Sequence, residues 1–236
     1  MILAFFCIAL IYSSAGFGGG SMYVSVLSSA TPLPSALLRF HALICNALVT
    51  GQGILQWKSE VAFPRSAISL LITAAIPCGV AVFFPLSEAY FLKTLGWALL
   101  LAGMMMFFQE KWAIWKWHLS SIQLHIAAFI IGGVGGFTGI GGGIYLSPLL
   151  HLSRWGNAKE IAQLSAWFIF INSLVSIFLL HQQGNQWNQL EWTWMIVVLL
   201  GGLIGSRISI SWLKIQHIRW VTAFLLIFAG IRILMK

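Results

Sequence analysis

Apolar residues run along this chain in long blocks, with neither the alternation of a half-buried strand nor the one-sided stripe of a surface helix. Eight blocks stand out: residues 2–30, 37–57, 67–84 and 91–108, then 124–152, 161–181, 194–210 and 218–234. Six of them approach the ~20 residues that one helical crossing of a bilayer needs. The first and fifth are longer, and glycine interrupts them at 16–20 and 139–143. The connections are short and leave no room for a soluble domain. Trp57, Trp112, Trp115, Trp117, Trp155, Trp187, Trp192, Trp212 and Trp220 stand at or near block ends, where an interfacial aromatic belt would place them.

Composition agrees with the pattern. Of 236 residues, 59% are hydrophobic and 8% charged, against roughly 25% charged in a soluble domain. Asp is absent, and the acids are Glu60, Glu88, Glu110, Glu160 and Glu191. A paired-carboxylate active site is therefore excluded. With no metal-ligand cluster and no nucleophile beside a base, an enzyme is not expected, and no cofactor motif occurs. The net charge of +8 comes from Lys and Arg scattered singly, which points to membrane topology and not to nucleic acid. Cys7, Cys45 and Cys78 lie within apolar blocks and read as small buried hydrophobes. Met1 leads into Leu3-Ala4-Phe5-Phe6 without a basic n-region, so the first block is expected to stay in the mature protein.

The halves repeat. Gly16-Phe17-Gly18-Gly19-Gly20 recurs 123 positions later as Gly139-Ile140-Gly141-Gly142-Gly143. Asn46-Ala47-Leu48-Val49-Thr50 answers to Asn172-Ser173-Leu174-Val175-Ser176, Gly79 to Gly205 and Lys93 to Arg219, at an offset of 126. The repeats are 1–118 and 119–236 of one membrane domain. If all eight blocks cross, Lys and Arg divide six to seven between the faces. If the glycine-broken blocks dip in and return, each half crosses three times and the second is inverted. Lys58, Arg65, Lys111, Lys116, Arg154, Lys159, Arg207, Lys214 and Arg219 then share one face, against Arg39, Lys93, Arg232 and Lys236. Nine to four is the asymmetry of a cytoplasmic face. The expected fold is thus an all-α polytopic membrane protein of two inverted repeats. Each is a glycine-broken re-entrant helical hairpin plus three transmembrane helices, and both termini are periplasmic.

Non-helical backbone at membrane depth needs protein or a water-filled cavity around it. Two breaks in equivalent positions of inverted halves point to a transporter's midplane binding site. The arm after each break, from Ser21 or Ile144, directs free N–H groups and a positive dipole end toward the break, which suits an anion. Gly18, Gly19 and Gly20 with Gly141, Gly142 and Gly143 are the expected backbone cradle. At 100° per residue, Arg39, Asn46, Thr50 and Gly53 share one helix face, and Ser165, Asn172 and Ser176 repeat it. Asn46, Asn172, Thr50, Ser176 and Arg39 are the expected donors. Interhelical hydrogen bonding explains the same stripe structurally, and small-xxx-small packing explains the same glycines.

Gly139-Ile140-Gly141-Gly142-Gly143-Ile144-Tyr145-Leu146-Ser147-Pro148-Leu149-Leu150, with Ala158-Lys159-Glu160-Ile161-Ala162 leading into Asn172-Ser173-Leu174, resembles the sulfite exporter TauE/SafE family of membrane permeases. The likeness covers nearly the whole chain. The first half departs from it, with Ser25 where the second has Pro148 and Arg39-Phe40-His41 where small residues are usual. The resemblance implies passage of small sulfur-containing anions, such as sulfite, thiosulfate or sulfoacetate, across the bacterial inner membrane by alternating access. Its implied partners are the anion and the lipid bilayer, with no nucleic acid. Self-association stays open, as do an anion channel and a non-transporting scaffold.

Overall fold

The computed structural model describes residues 1–57, 67–84, 86–112, 119–184, 187–211 and 215–235. Lys58, Arg65, Lys116, Lys214, Lys236, Trp115, Trp117 and Trp212 of the charge and belt patterns lie outside them. The described chain is helical, and no strand occurs among the described residues. In order the helices are α1 Ile2–Ser14, α2 Gly20–Ala30, α3 Ser35–Trp57, α4 Ala67–Val82, α5 Glu88–Trp112, α6 Ser121–Thr138, α7 Gly143–Leu152, α8 Ala158–Gln183, α9 Trp192–Ser211 and α10 Ile215–Leu234. One 3₁₀ turn, Trp187–Gln189, lies between α8 and α9.

Two helices begin at capping boxes, in which a short polar side chain satisfies first-turn N–H groups and the residue three on returns the bond. Ser120 and Gln123 do this for α6. Asn157 and Glu160 do it for α8, so the Ala158-Lys159-Glu160 motif has a local structural role. The box at Ser120 starts α6 ahead of the apolar block and makes it 18 residues long, about 27 Å at 1.5 Å per residue. The block's own first arm, read from 124, is about 14 residues. Consequently α6 joins α5 and α8 as the helices both long and apolar enough to cross a membrane among the described residues. The polar stripe keeps α3 out of that group despite its 23 residues.

Both breaks form as the pattern predicts, with each following helix starting one residue early, at Gly20 and Gly143. The reason is that Gly19 and Gly142 adopt φ of 83° and 79°, a left-handed step open to glycine at no steric cost, and the next residue is already helical. Each break also turns the chain back. A Cβ on Gly19 would lie 2.8 Å from the Ile8 side chain, and one on Gly142 would lie 3.0 Å from the Ile131 carbonyl. Those pairs are related by the same offset of 123. In the first half the Phe5 and Tyr23 rings then stack at 4.9 Å.

The packing centres on α3 against α8. Around them α1 lies on α9 and α6 on α4, α9 touches α3 and α4 touches α8, α2 lies on α3 and α7 on α8, and α5 pairs with α10. Exchanging each helix for its counterpart in the other half reproduces the same set. Glycine permits the closest approaches. Gly201 and Gly205 of α9 meet Phe6, Ala9, Leu10 and Ser13 of α1, whereas Gly132 and Gly136 of α6 meet Ala74, Cys78 and Ala81 of α4. The small residues sit on opposite members of the two equivalent pairs. Cys45 and Cys78 are buried as expected, but Cys7 is exposed on α1, because it falls on the face turned from α9. Ile68, Ile72 and Ile76 of α4, with Phe224 and Phe228 of α10, are also exposed. An apolar exterior of this kind suits hydrocarbon and not water.

Replacing Gly205 with Val would drive two methyl groups into the Leu10 and Ser13 contact. Overpacking of this kind costs about 1–3 kcal/mol, so a lowered melting temperature of the detergent-purified protein is expected. An unchanged melting temperature would show that α1 and α9 separate without cost.

Candidate functional site

The two glycine breaks meet on α3, and one residue joins them. Asn46 Oδ1 accepts the Gly20 N–H at 2.7 Å, and Asn46 Nδ2 donates to the Ile140 carbonyl at 3.0 Å. Its amide therefore supplies the cap that α2 lacks from its own N-cap residue and pins the second break by a carbonyl. Gly18 and Gly20 flank that amide so closely that a Cβ on either would collide with it. Asn172, the counterpart on α8, acts differently, since its Nδ2 donates to the Gly141 carbonyl at 3.1 Å. The N-cap of α7, Gly142, likewise lacks a side-chain cap bond.

The remaining expected donors divide. Thr50 donates to the Asn46 carbonyl of its own helix at 2.6 Å, so it is held locally. Ser176 lies 3.3 Å from Cys78 Sγ, and that thiol also donates to the Asn172 carbonyl at 3.6 Å. Arg39 is 4% exposed and is not a surface charge near a loop. Its stem packs on Gly139, and Nη2 donates to the Gly136 carbonyl at 2.6 Å. That carbonyl belongs to the last turn of α6, where backbone acceptors lack helical partners and the dipole is negative. The Nε of Arg39 has no hydrogen-bond partner among the described residues.

Sequence reasoning did not single out Ser173 or Cys78 as site residues. Ser173 Oγ and Ser165 Oγ are buried without hydrogen-bond partners among the described residues. A Cβ on Gly141 would lie 3.1 Å from Ser173 Oγ, and one on Gly143 would lie 2.6 Å from the Ser165 carbonyl. The available signal for Ser173 was its place beside Asn172. For Cys78 there was none, since an apolar block hides which helix it faces. The glycines themselves are buried and closely packed. They bring the breaks against α3 and α8, and the polar atoms left over lie at the side chains around them.

His41, set off the stripe by sequence, faces away from this cluster. Its Nδ1 bonds the Leu37 carbonyl at 2.8 Å and its Nε2 lies 3.4 Å from the Glu191 N–H. Two grooves, of about 480 Å³ between α4 and α8 and about 370 Å³ among α3, α8 and α9, are apolar and lined by none of the expected site residues. The arrangement offers neutral donors, one guanidinium and helix ends, but no described cluster of metal ligands.

Replacing Asn46 with Ala would leave the Gly20 N–H and the Ile140 carbonyl without that partner. Unsatisfied buried groups cost about 1–3 kcal/mol each, so a loss of about 2–6 kcal/mol is expected, read as a large fall in melting temperature. Asn46→Asp keeps the acceptor and loses the donor, so it should fall between the two. Equal stability of the Ala variant and the parent would remove Asn46 as the joint between the breaks.

The family model for the sulfite exporter TauE/SafE matches residues 1–233. A relative from Sinorhizobium fredii (strain NBRC 101917 / NGR234), the probable membrane transporter protein y4hK, is 31% identical over 252 aligned positions, covering 99% of this chain and 97% of its own. No solved structure matches. Matched over nearly its entire length, the chain belongs to the TauE/SafE sulfite exporter family of membrane transporters.

Proposed function

We propose that this transporter is a permease for small sulfur-containing anions, among them sulfite, thiosulfate and sulfonates such as sulfoacetate, and that it works by alternating access. The observation that carries the reading is the meeting of both glycine breaks at Asn46, with buried donors on Arg39, Ser165 and Ser173 that have no hydrogen-bond partner among the described residues. Irregular backbone at membrane depth is enclosed by protein or lines a cavity, and two such breaks in matching positions point to a binding site. The family's description as sulfite exporters supports the substrate class. In this reading the anion lies between Gly18, Gly19 and Gly20 and Gly141, Gly142 and Gly143. Arg39, Ser165, Ser173 and Ser176 then face it, while Asn46 and Asn172 hold the loops that frame it and Thr50 bonds the Asn46 carbonyl.

The same reading assigns the protein to the bacterial inner membrane, as repeats 1–118 and 119–236 of opposite orientation with both termini periplasmic. Its supports are the nine-to-four sorting of Lys and Arg, the reversal of the chain at each break, and the exchange of packing partners between halves. Three helices follow each hairpin, and an odd number of crossings inverts the second half.

Reconstituted in liposomes, the protein should pass radiolabelled sulfite at a rate that saturates with concentration. Flux proportional to concentration without limit would make it a channel, and no flux of sulfite, thiosulfate or sulfoacetate would remove the sulfur-anion assignment. Reporter fusions should place the C-terminus in the periplasm. A cytoplasmic C-terminus would overturn the inverted topology.

A further inference from the structure

The charges around the breaks bear on more than the class of substrate. Arg39 is the one buried Arg, Lys or Glu among the residues whose side chains are described. Each break also brings together two helix ends of opposite sign. At the second, the C-terminal end of α6 and the N-terminal end of α7 lie side by side, with Gly142 N only 2.8 Å from the position of a Cβ on Gly135. The half-charges of two such ends, about −0.5 and +0.5, largely cancel. The first break has the same composition, and the Gly20 N–H of its positive end is already taken by Asn46. His41 lies off this cluster, bonded to the Leu37 carbonyl and near the Glu191 N–H. What is left is a single buried positive charge on Arg39, whose Nε has no hydrogen-bond partner among the described residues.

We infer that the site carries its substrate as a singly charged anion held by Arg39, and that it discriminates against dianions. A buried charge is tolerated when paired and costly when left over. A monoanion neutralises Arg39, whereas a dianion would leave one negative charge in surroundings with no second cation among the described residues. This rests on the anion-permease reading above and narrows it. Of the sulfur anions named there, it selects hydrogen sulfite over thiosulfate and sulfoacetate, which are dianions at neutral pH. Specificity then lies in charge count as well as in shape.

The test uses the full chain, purified in detergent, with anions of fixed charge at one pH and one ionic strength. Methanesulfonate and nitrate serve as monoanions, sulfate and methanedisulfonate as dianions, and binding is read by calorimetry and thermal stabilisation. The expected result is tighter binding of the monoanions by about tenfold or more, and loss of that binding in Arg39→Gln. Arg39→Lys, which keeps the charge without the planar fork, should bind the monoanions more weakly and keep the preference; it also serves if the Gln variant fails to fold. Equal or tighter binding of dianions would overturn the inference and leave the permease reading standing, as would full monoanion binding by Arg39→Gln. Absence of binding by all four anions, together with absence of sulfite flux, would remove both.

Discussion

Backbone that is not helical and lies away from water must find its hydrogen-bond partners within the protein, and Asn46 meets that demand for both breaks. One amide offers an acceptor to the Gly20 N–H and a donor to the Ile140 carbonyl. No other side chain type of that length supplies both from one rigid plane. The position of α3 follows, since it must lie against the start of α2 and the end of α6 together. Arg39, two turns earlier on α3, then reaches the last carbonyls of α6 and fills acceptors that a helix end leaves open.

The glycines serve packing and function through the same property. Absence of a side chain lets Gly18 and Gly20 enclose the Asn46 amide, and lets Gly139 lie on the Arg39 stem. Positive φ at Gly16 and Gly139, and again at Gly19 and Gly142, turns each chain back on its own first helix. Gly141 also takes positive φ, at 78°, whereas Gly18 does not, and the two breaks are therefore not copies. That difference accompanies another: Asn46 caps the start of α2, while Asn172 holds a carbonyl of the second loop. The corresponding positions of the two halves thus make different bonds, and the guanidinium of Arg39 has Ser165 at the matching position.

Much of the architecture was legible before the structure. Long apolar blocks with few charges require helices in a bilayer, and the glycine breaks fell where the pattern placed them. The ends of elements were less legible. The helix α6 begins at the Ser120 capping box and not at the first apolar residue, since a cap answers to local hydrogen bonding and not to hydropathy. Cys7 was expected inside and lies outside, because a block apolar all round carries no sign of which face meets protein and which meets lipid. For the same reason Cys78 gave no hint of its bonds to Ser176 and Asn172.

The sequence by itself determined the class of the protein, the two glycine breaks and the stripe of Arg39, Asn46 and Thr50 with its echo at Ser165, Asn172 and Ser176. Each of these is written in spacing along one chain. Only the tertiary structure decided which polar atoms are already in use. Periodicity places Arg39 and Asn46 on one face, but whether a donor on that face is occupied depends on the carbonyl that another helix brings to it. Asn46 and Thr50 are occupied, and Arg39 keeps one nitrogen free. The physical reason is that helical repeat is a property of neighbours in sequence, whereas hydrogen-bond saturation belongs to residues as far apart as Arg39 and Gly136.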